Sequence, residues 1–149
     1  MSSLADKVIA IEPEPNNLEL LKYNLERNTC ENVEIMPCAA SNISKNCKLY
    51  LNPENTGGHS IVESHDVYID VRAIRLDEIL PLGPIRLIKM DIEGGEYDAI
   101  LGLGDRLNDI DYIIFEYRTR EFWDPKQILV GFDISRLNTF NYLARRLDS

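Results

Sequence analysis

The chain contains no run of 18 or more apolar residues, so it has no segment able to cross a membrane as a helix. Its first residues, "MSSLADKVIAIEPE", show neither a basic leader nor a long apolar stretch before a small-residue cleavage site. The expectation is therefore a soluble, cytoplasmic protein with no membrane partner. Cysteine is scarce: Cys30, Cys38 and Cys47 are odd in number and widely spaced, which argues against a disulfide framework and fits structural thiols in a reducing compartment. The two histidines, His59 and His65, lie in a polar loop and do not share a zinc-ligand spacing with the cysteines, so no metal site is expected. Positive charge is also short. With 16 Lys and Arg against 25 Asp and Glu, the net charge is -9, which disfavours a nucleic-acid surface. Arg72/Arg75 and Arg145/Arg146 read as charges on solvated faces.

A glycine-rich GxGxxG loop is absent as well. The glycines at 57, 58, 83, 94, 95, 102 and 104 have the wrong order and spacing. A dinucleotide site needs that loop to approach a pyrophosphate, with an acidic residue about 20 positions later.

Against these absences stand 149 residues that are 44% hydrophobic, enough for one core. No repeat or low-complexity linker divides the chain, so a single domain over residues 1–149 is expected. "VIAI", from Val8, is a continuous apolar run of the kind buried on both faces of a sheet. A helix follows, with Asn16 as cap, Glu19 as its capping-box partner and Leu18, Leu21 and Leu25 at helical spacing. "NVEIMP" supplies a second strand from Val33 to Met36, ended by Pro37. Strand, helix and strand in this order make a crossover unit and a parallel sheet.

"CKLYLN" and "VYIDVRAI" alternate with period two and read as extra strands or an edge hairpin around a polar loop. "RLDEILPLG" gives one helical turn. Ile85 to Met90 is a strand, Gly94 and Gly95 make a turn, and a helix runs on toward Asn108. "YIIFE" is a further buried strand, ending on Glu116. A turn follows at Trp123-Asp124-Pro125. The closing "DISRLNTFNYLARRL" reads as a helix capped by Asp133, with Ile134, Leu137 and Leu147 as anchors.

Three of these strands finish on or beside an acid: Glu12, Asp91 and Glu116. In an open parallel sheet the carboxyl ends of the strands line the ligand edge. Glu12 suits a ribose, because an ionised carboxylate offers acceptors to both hydroxyls. Asp91 precedes a Gly-Gly turn, where backbone can approach a ligand closely. The plainer reading is that strand-end acids cap the turns and helices that follow. Ribose binding alone fits nicotinamide, flavin and sulfonium cofactors. The missing pyrophosphate loop and the acidic edge favour a cationic sulfonium.

The segments "IEPEPNNLELLKYNLERN", "ENVEIMPCAAS", "VRAIRLDEIL" and "IRLIKMDIEGGEYDAILG" run in order over about residues 8 to 118. In them the chain resembles the FkbM-like family of S-adenosylmethionine-dependent methyltransferases. The resemblance implies an α/β, Rossmann-like class I methyltransferase core with a mostly parallel sheet flanked by helices. It implies S-adenosyl-L-methionine as cofactor and O-methylation of a sugar or small-molecule hydroxyl. Glu12 would bind the cofactor ribose, Cys38 and Ala39 would border the adenine with Ala40, and Asp91 would face the methyl donor and act as the catalytic residue, with Glu93 supporting its turn. The family's first strand and "D-x-G-A-N-x-G" loop would precede Val8, and its closing strand hairpin is not evident after "LARRLDS". This implies a truncated core, or one with strands supplied by a second chain: a homodimer or a complementing N-terminal fragment. The alternatives to a self-contained enzyme are a non-catalytic interaction module and one half of a split methyltransferase.

Overall fold

The computed structural model describes residues 4–55, 57–62, 66–117 and 123–147. His65 and residues 118–122 lie outside the described residues. Among the described residues nine strands and four helices form an α/β fold: β1 Val8–Ile11, α1 Pro15–Arg27, β2 Val33–Met36, β3 Ala39–Ser41, β4 Lys45–Tyr50, β5 Tyr68–Arg75, α2 Leu76–Ile79, β6 Ile85–Lys89, α3 Glu96–Leu101, β7 Ile110–Glu116, α4 Pro125–Ile128, β8 Phe132–Arg136 and β9 Asn141–Arg146. A 3-10 turn, Gly104–Asp109, separates α3 from β7.

The sheet is mixed, which corrects the expectation of a mostly parallel one. It is divided into three hydrogen-bonded parts, ordered β1-β2, β3-β5-β4 and β6-β7-β9-β8. The pairs β1-β2, β3-β5 and β6-β7 are parallel, whereas β4-β5, β7-β9 and β8-β9 are antiparallel. The crossover unit stands as the sequence implies, with Val8 opposite Val33 and Ile11 opposite Met36.

The first helix starts earlier than the capping-box reading has it. Its cap is Glu14, whose carboxylate accepts from the Asn17 amide at 2.7 Å. Pro15 follows at the first helical position, where its fixed φ is already helical and its missing N–H costs nothing.

The C-terminal helix expected from Asp133 is instead the hairpin β8-β9. Asn138 decides this: its Oδ1 accepts from the Phe140 and Asn141 amides at 3.1 and 2.9 Å, folding the chain back on itself. Two strands then pair from Phe132 with Arg146 to Arg136 with Tyr142. Leu137 and Leu147, read as anchors, are exposed, and Ala144 and Phe132 are the buried residues.

The helix after Gly95 is also shorter than expected. Gly102 closes it where a Cβ would overlap the Ser41 carbonyl of β3, so the close approach of two backbones fixes both the glycine and the helix end. In its last turn Leu101 is exposed while Ile100 is buried, and Leu103, just past Gly102, is buried as well.

The core lies around β7. Ile110, Ile113 and Phe115 are fully buried together with Ala99, Leu103 and Ala144. An aromatic group extends it, with Trp123 5.6 Å from Tyr97, 6.0 Å from Phe115 and 5.2 Å from Tyr117 between ring centroids. No helix among the described residues is long and apolar enough to cross a membrane.

Candidate functional site

Beyond β6 the chain runs through Met90, Asp91, Ile92, Glu93, Gly94 and Gly95 into α3, and this turn is tightly specified. Glu93 has φ of 51° and Gly94 has φ of 90°, two successive left-handed residues, of which only the glycine is unstrained. Glu96, 1% exposed, offers one carboxylate oxygen to the Ile92 amide at 2.8 Å and the other to the Gly94 amide at 3.0 Å. From the opposite side, Ser60 donates to the Glu93 carbonyl at 2.7 Å, while its own oxygen accepts from the Val62 amide at 3.1 Å. Ser60 is 1% exposed and pairs in a short bridge with Tyr50 at the end of β4. The strained turn is thus clamped between a buried carboxylate and a buried hydroxyl, which is what a backbone outlier needs in order to persist.

This clamp brings three acids together. Asp91, Glu93 and Glu116 each contribute a carboxylate oxygen, and these oxygens lie within 4.8 Å of one another. Glu116 closes β7, the parallel neighbour of β6, so two of the three strand-end acids converge, whereas the sheet reading expects all three to do so. Asp91 is exposed and ion-paired with Lys89 at 2.9 Å, so it points to the solvent-facing side of the group. Carboxylates this close concentrate negative potential and attract a cation, organic or metallic.

Glu12 lies one residue past β1, and its amide still donates to the Met36 carbonyl at 3.1 Å. Its Oε1 accepts from the Glu14 amide at 2.8 Å. That bond holds the carboxylate over the turn and leaves Oε2 as an acceptor. It also supplies the capping role that strand-end acids commonly fill. Glu12 is not one of the close group formed by the other three acids.

Cys38 and Ala39 follow β2 on the same edge of the crossover unit. Both are buried, at 3% and 5% exposure. The Cys38 amide donates to the Met36 carbonyl at 2.9 Å, and Ala39 is in register with Ala73 of β5. Burial pushes the Cys38 thiol up from its ordinary range, with the Arg72 guanidinium offsetting part of the shift. The thiol is therefore a neutral packing group. Arg75 is bound to Asp77 and Arg145 is near Asp133, so these arginines do not form an unneutralised basic patch. Arg146 stacks on Phe132 and caps the carbonyls of Ile110 and Leu107. His59 is a structural acceptor, with Nδ1 receiving the Asn52 amide at 3.0 Å.

Ser60 and Glu96 escape sequence reasoning in different ways. Ser60 meets Glu93 only through the tertiary fold, across 33 positions of chain. Glu96 carries a legible signal, since an acid just after a Gly-Gly pair at a helix start can reach back to the amides before it.

Comparison with known proteins agrees with this architecture. A curated relative, "Methyltransferase 1" of Beauveria bassiana (strain ARSEF 2860), is 25% identical over 73% of this chain and 54% of its own length. The chain thus spans about half of that relative. The crystal structure of methyltransferase FkbM from Methylobacillus flagellatus KT superposes with a TM-score of 0.66 at 21% identity, covering 94% of this chain and 36% of that one. An rRNA methylase from Streptococcus thermophilus superposes with a TM-score of 0.52 at 15% identity, covering 99% and 77%. The methyltransferase FkbM domain matches residues 4–142, and the chain belongs to that family.

Proposed function

We propose that this chain is the cofactor-handling part of an S-adenosyl-L-methionine-dependent O-methyltransferase acting on a hydroxyl of a sugar or other small molecule. The observation that carries the reading is the acidic edge: Asp91, Glu93 and Glu116 within 4.8 Å of one another, with Glu12 at the end of β1. The donor chemistry fits the cofactor. Carboxylates accept from ribose hydroxyls and attract a sulfonium. The bound cofactor supplies an activated methyl group for direct displacement, which leaves the protein to position, orient and exclude water.

In this reading Glu12 Oε2 accepts from the ribose, its other oxygen being held by the Glu14 amide. Cys38 and Ala39 present an apolar border to the adenine. Asp91, steadied by Lys89 at 2.9 Å, orients the acceptor hydroxyl and receives its proton as the methyl group transfers. Glu93 and Glu116 contribute charge behind it. A cytoplasmic enzyme with a small-molecule substrate remains the expectation from sequence.

The test is label transfer from tritiated S-adenosyl-L-methionine to a panel of glycosides and hydroxylated small molecules, with the wild type and Asp91→Asn. The reading expects transfer by the wild type and a fall in kcat of about a hundredfold in the variant, with a smaller loss of cofactor affinity from the weakened acidic edge. Equal rates for the two proteins would remove Asp91 from the chemistry. A specific observation also supports a second reading, a non-catalytic member of the fold: the Glu12 carboxylate already has a structural task at the Glu14 amide. That reading predicts no cofactor binding under any condition.

A further inference from the structure

The turn from Ile92 to Gly95 is closed by the Gly95 amide, which donates to the Ile92 carbonyl at 3.3 Å. Its two central residues, Glu93 and Gly94, have φ of 51° and 90°, the sign pattern of a type I′ turn. Gly, Asn and Asp dominate both central places of that turn, because a longer L side chain is crowded there. Glutamate is therefore a costly choice at the first of them. The mirror-image type I turn closes the same hydrogen bond with negative φ at both central residues, and most residues adopt it. It would relieve Glu93 of its backbone strain.

A second cost runs the same way. The Glu93 carboxylate lies within 4.8 Å of those of Asp91 and Glu116, where like charges repel. Strain and repulsion both favour relaxation, and the opposing holds fall on one peptide unit. The Glu93 carbonyl accepts from Ser60 Oγ at 2.7 Å, and the Gly94 amide, the other end of the same peptide, donates to a Glu96 carboxylate oxygen at 3.0 Å. This is the central peptide of the turn, which the type I form tips the other way. Each hold has a firm mounting. Ser60 exchanges both backbone hydrogen bonds with Tyr50, at 2.8 and 3.1 Å, at the end of β4. Glu96 opens α3 and sets its other oxygen on the Ile92 amide. Both residues are buried, so little water competes for either bond.

We infer that Ser60 and Glu96 are positioning residues: they hold the Glu93–Gly94 peptide in the left-handed turn against its mirror form, and so keep the Glu93 carboxylate beside Asp91 and Glu116. A glutamate stands in a glycine's place because its side chain is used there, and the strain is the cost of aiming it. That use rests on the reading of the acidic edge as the methyl-donor site. The two holds differ in strength. The bond to Glu96 is charge-assisted and the stronger, whereas the bond from Ser60 is neutral. Loss of the Ser60 hydroxyl therefore lets the two turns share the population, and weakening of Glu96 shifts it further toward the type I form. The segment after β4 is thereby coupled to cofactor affinity without touching the cofactor. Whatever lifts Ser60 off the Glu93 carbonyl turns the carboxylate away from the other two.

The test reads the turn first, by NMR of the isotope-labelled chain without cofactor. A residue of positive φ holds its amide proton close to its own Hα and gives a strong intraresidue NOE. At Glu93 that NOE is expected to be strong in the wild type and in Ser60→Thr, which keeps the hydroxyl, and weaker in Ser60→Ala and Glu96→Gln. Calorimetric titration with S-adenosylhomocysteine then reads the consequence. Ser60→Ala is expected to weaken binding about threefold to tenfold, and Ser60→Thr to recover most of the loss. In a Glu93→Gly background, where no carboxylate is left to position, Ser60→Ala should change the affinity by less than about twofold. The inference is overturned if the Glu93 NOE stays strong in both Ser60→Ala and Glu96→Gln. It is overturned equally if Ser60→Ala costs the same affinity in both backgrounds, since that is a general loosening of the fold. Should no form of the chain bind S-adenosylhomocysteine, the methyl-donor reading falls and the NOE comparison alone decides the inference.

Discussion

Ser60 Oγ donates a 2.7 Å hydrogen bond to the carbonyl of Glu93, so the segment after β4 holds a turn that begins 31 positions after Ser60, at Asp91. The pair fixes a residue whose φ of 51° a glutamate rarely adopts. Ser60→Ala removes the hydroxyl that donates to that carbonyl and accepts from the Val62 amide. The expected loss is about 2 kcal/mol in urea unfolding, with far-UV circular dichroism unchanged. A loss below about 0.5 kcal/mol would mean that the turn does not depend on Ser60.

Glu96 holds the same turn from below, with both carboxylate oxygens engaged by the Ile92 and Gly94 amides. Glu96→Ala removes the acceptors of two half-buried amides together with a buried carboxylate, and is expected to cost about 3 kcal/mol. Glu96→Gln keeps one acceptor of the same shape and should lose roughly half as much. Equal losses for the two variants would show that neither side-chain volume nor a single remaining acceptor counts there, and that the turn needs both carboxylate oxygens together.

Two glycines separate backbone strain from overlap. At Gly102 a Cβ would run into the Ser41 carbonyl, backbone that cannot swing away, whereas at Gly83, with φ of 100°, a Cβ meets nothing within 4 Å. Gly102→Ala is therefore expected to cost about 3 kcal/mol or more, and Gly83→Ala about 1 kcal/mol. Thermal unfolding of the two variants side by side checks the order, and a reversed order would contradict the close contact of α3 with β3.

The thiols give a pH test. Burial raises Cys38 above its ordinary 9.0, so the folded chain holds that proton more tightly than the unfolded chain. The stabilisation is present in full below the unfolded value and is lost as pH rises through the folded one. Wild-type stability should fall as pH rises above the ordinary thiol value of 9.0 more steeply than that of Cys38→Ala, by up to about 1.4 kcal/mol per pH unit. Iodoacetamide should modify the half-buried Cys30 well before Cys38. Equal rates would show that the Cys38 site opens readily.

Much of the fold is legible in the sequence because local and tertiary signals agree. Val8 to Met36 reads as strand, helix and strand through its apolar runs, and the structure pairs them in parallel. Asp91 and Glu116 converge because β6 and β7 are parallel neighbours whose ends coincide. The closing segment misleads because Ile134 and Leu137 lie at helical spacing, while the deciding element is the polar turn at Asn138, whose side chain replaces helical bonds with its own. Ser60 lies beyond any local pattern, since its meaning comes from a contact between a loop and a turn distant in sequence. The three-way division of the sheet is likewise set by which edges meet, and strand sequences alone do not specify that.

The ribose assignment is the hinge of the functional account, and calorimetric titration with S-adenosylhomocysteine tests it most directly, comparing wild type with Glu12→Ala. The account predicts saturable binding by the wild type and an affinity weakened about tenfold or more in the variant. Binding of equal strength by both proteins would contradict it.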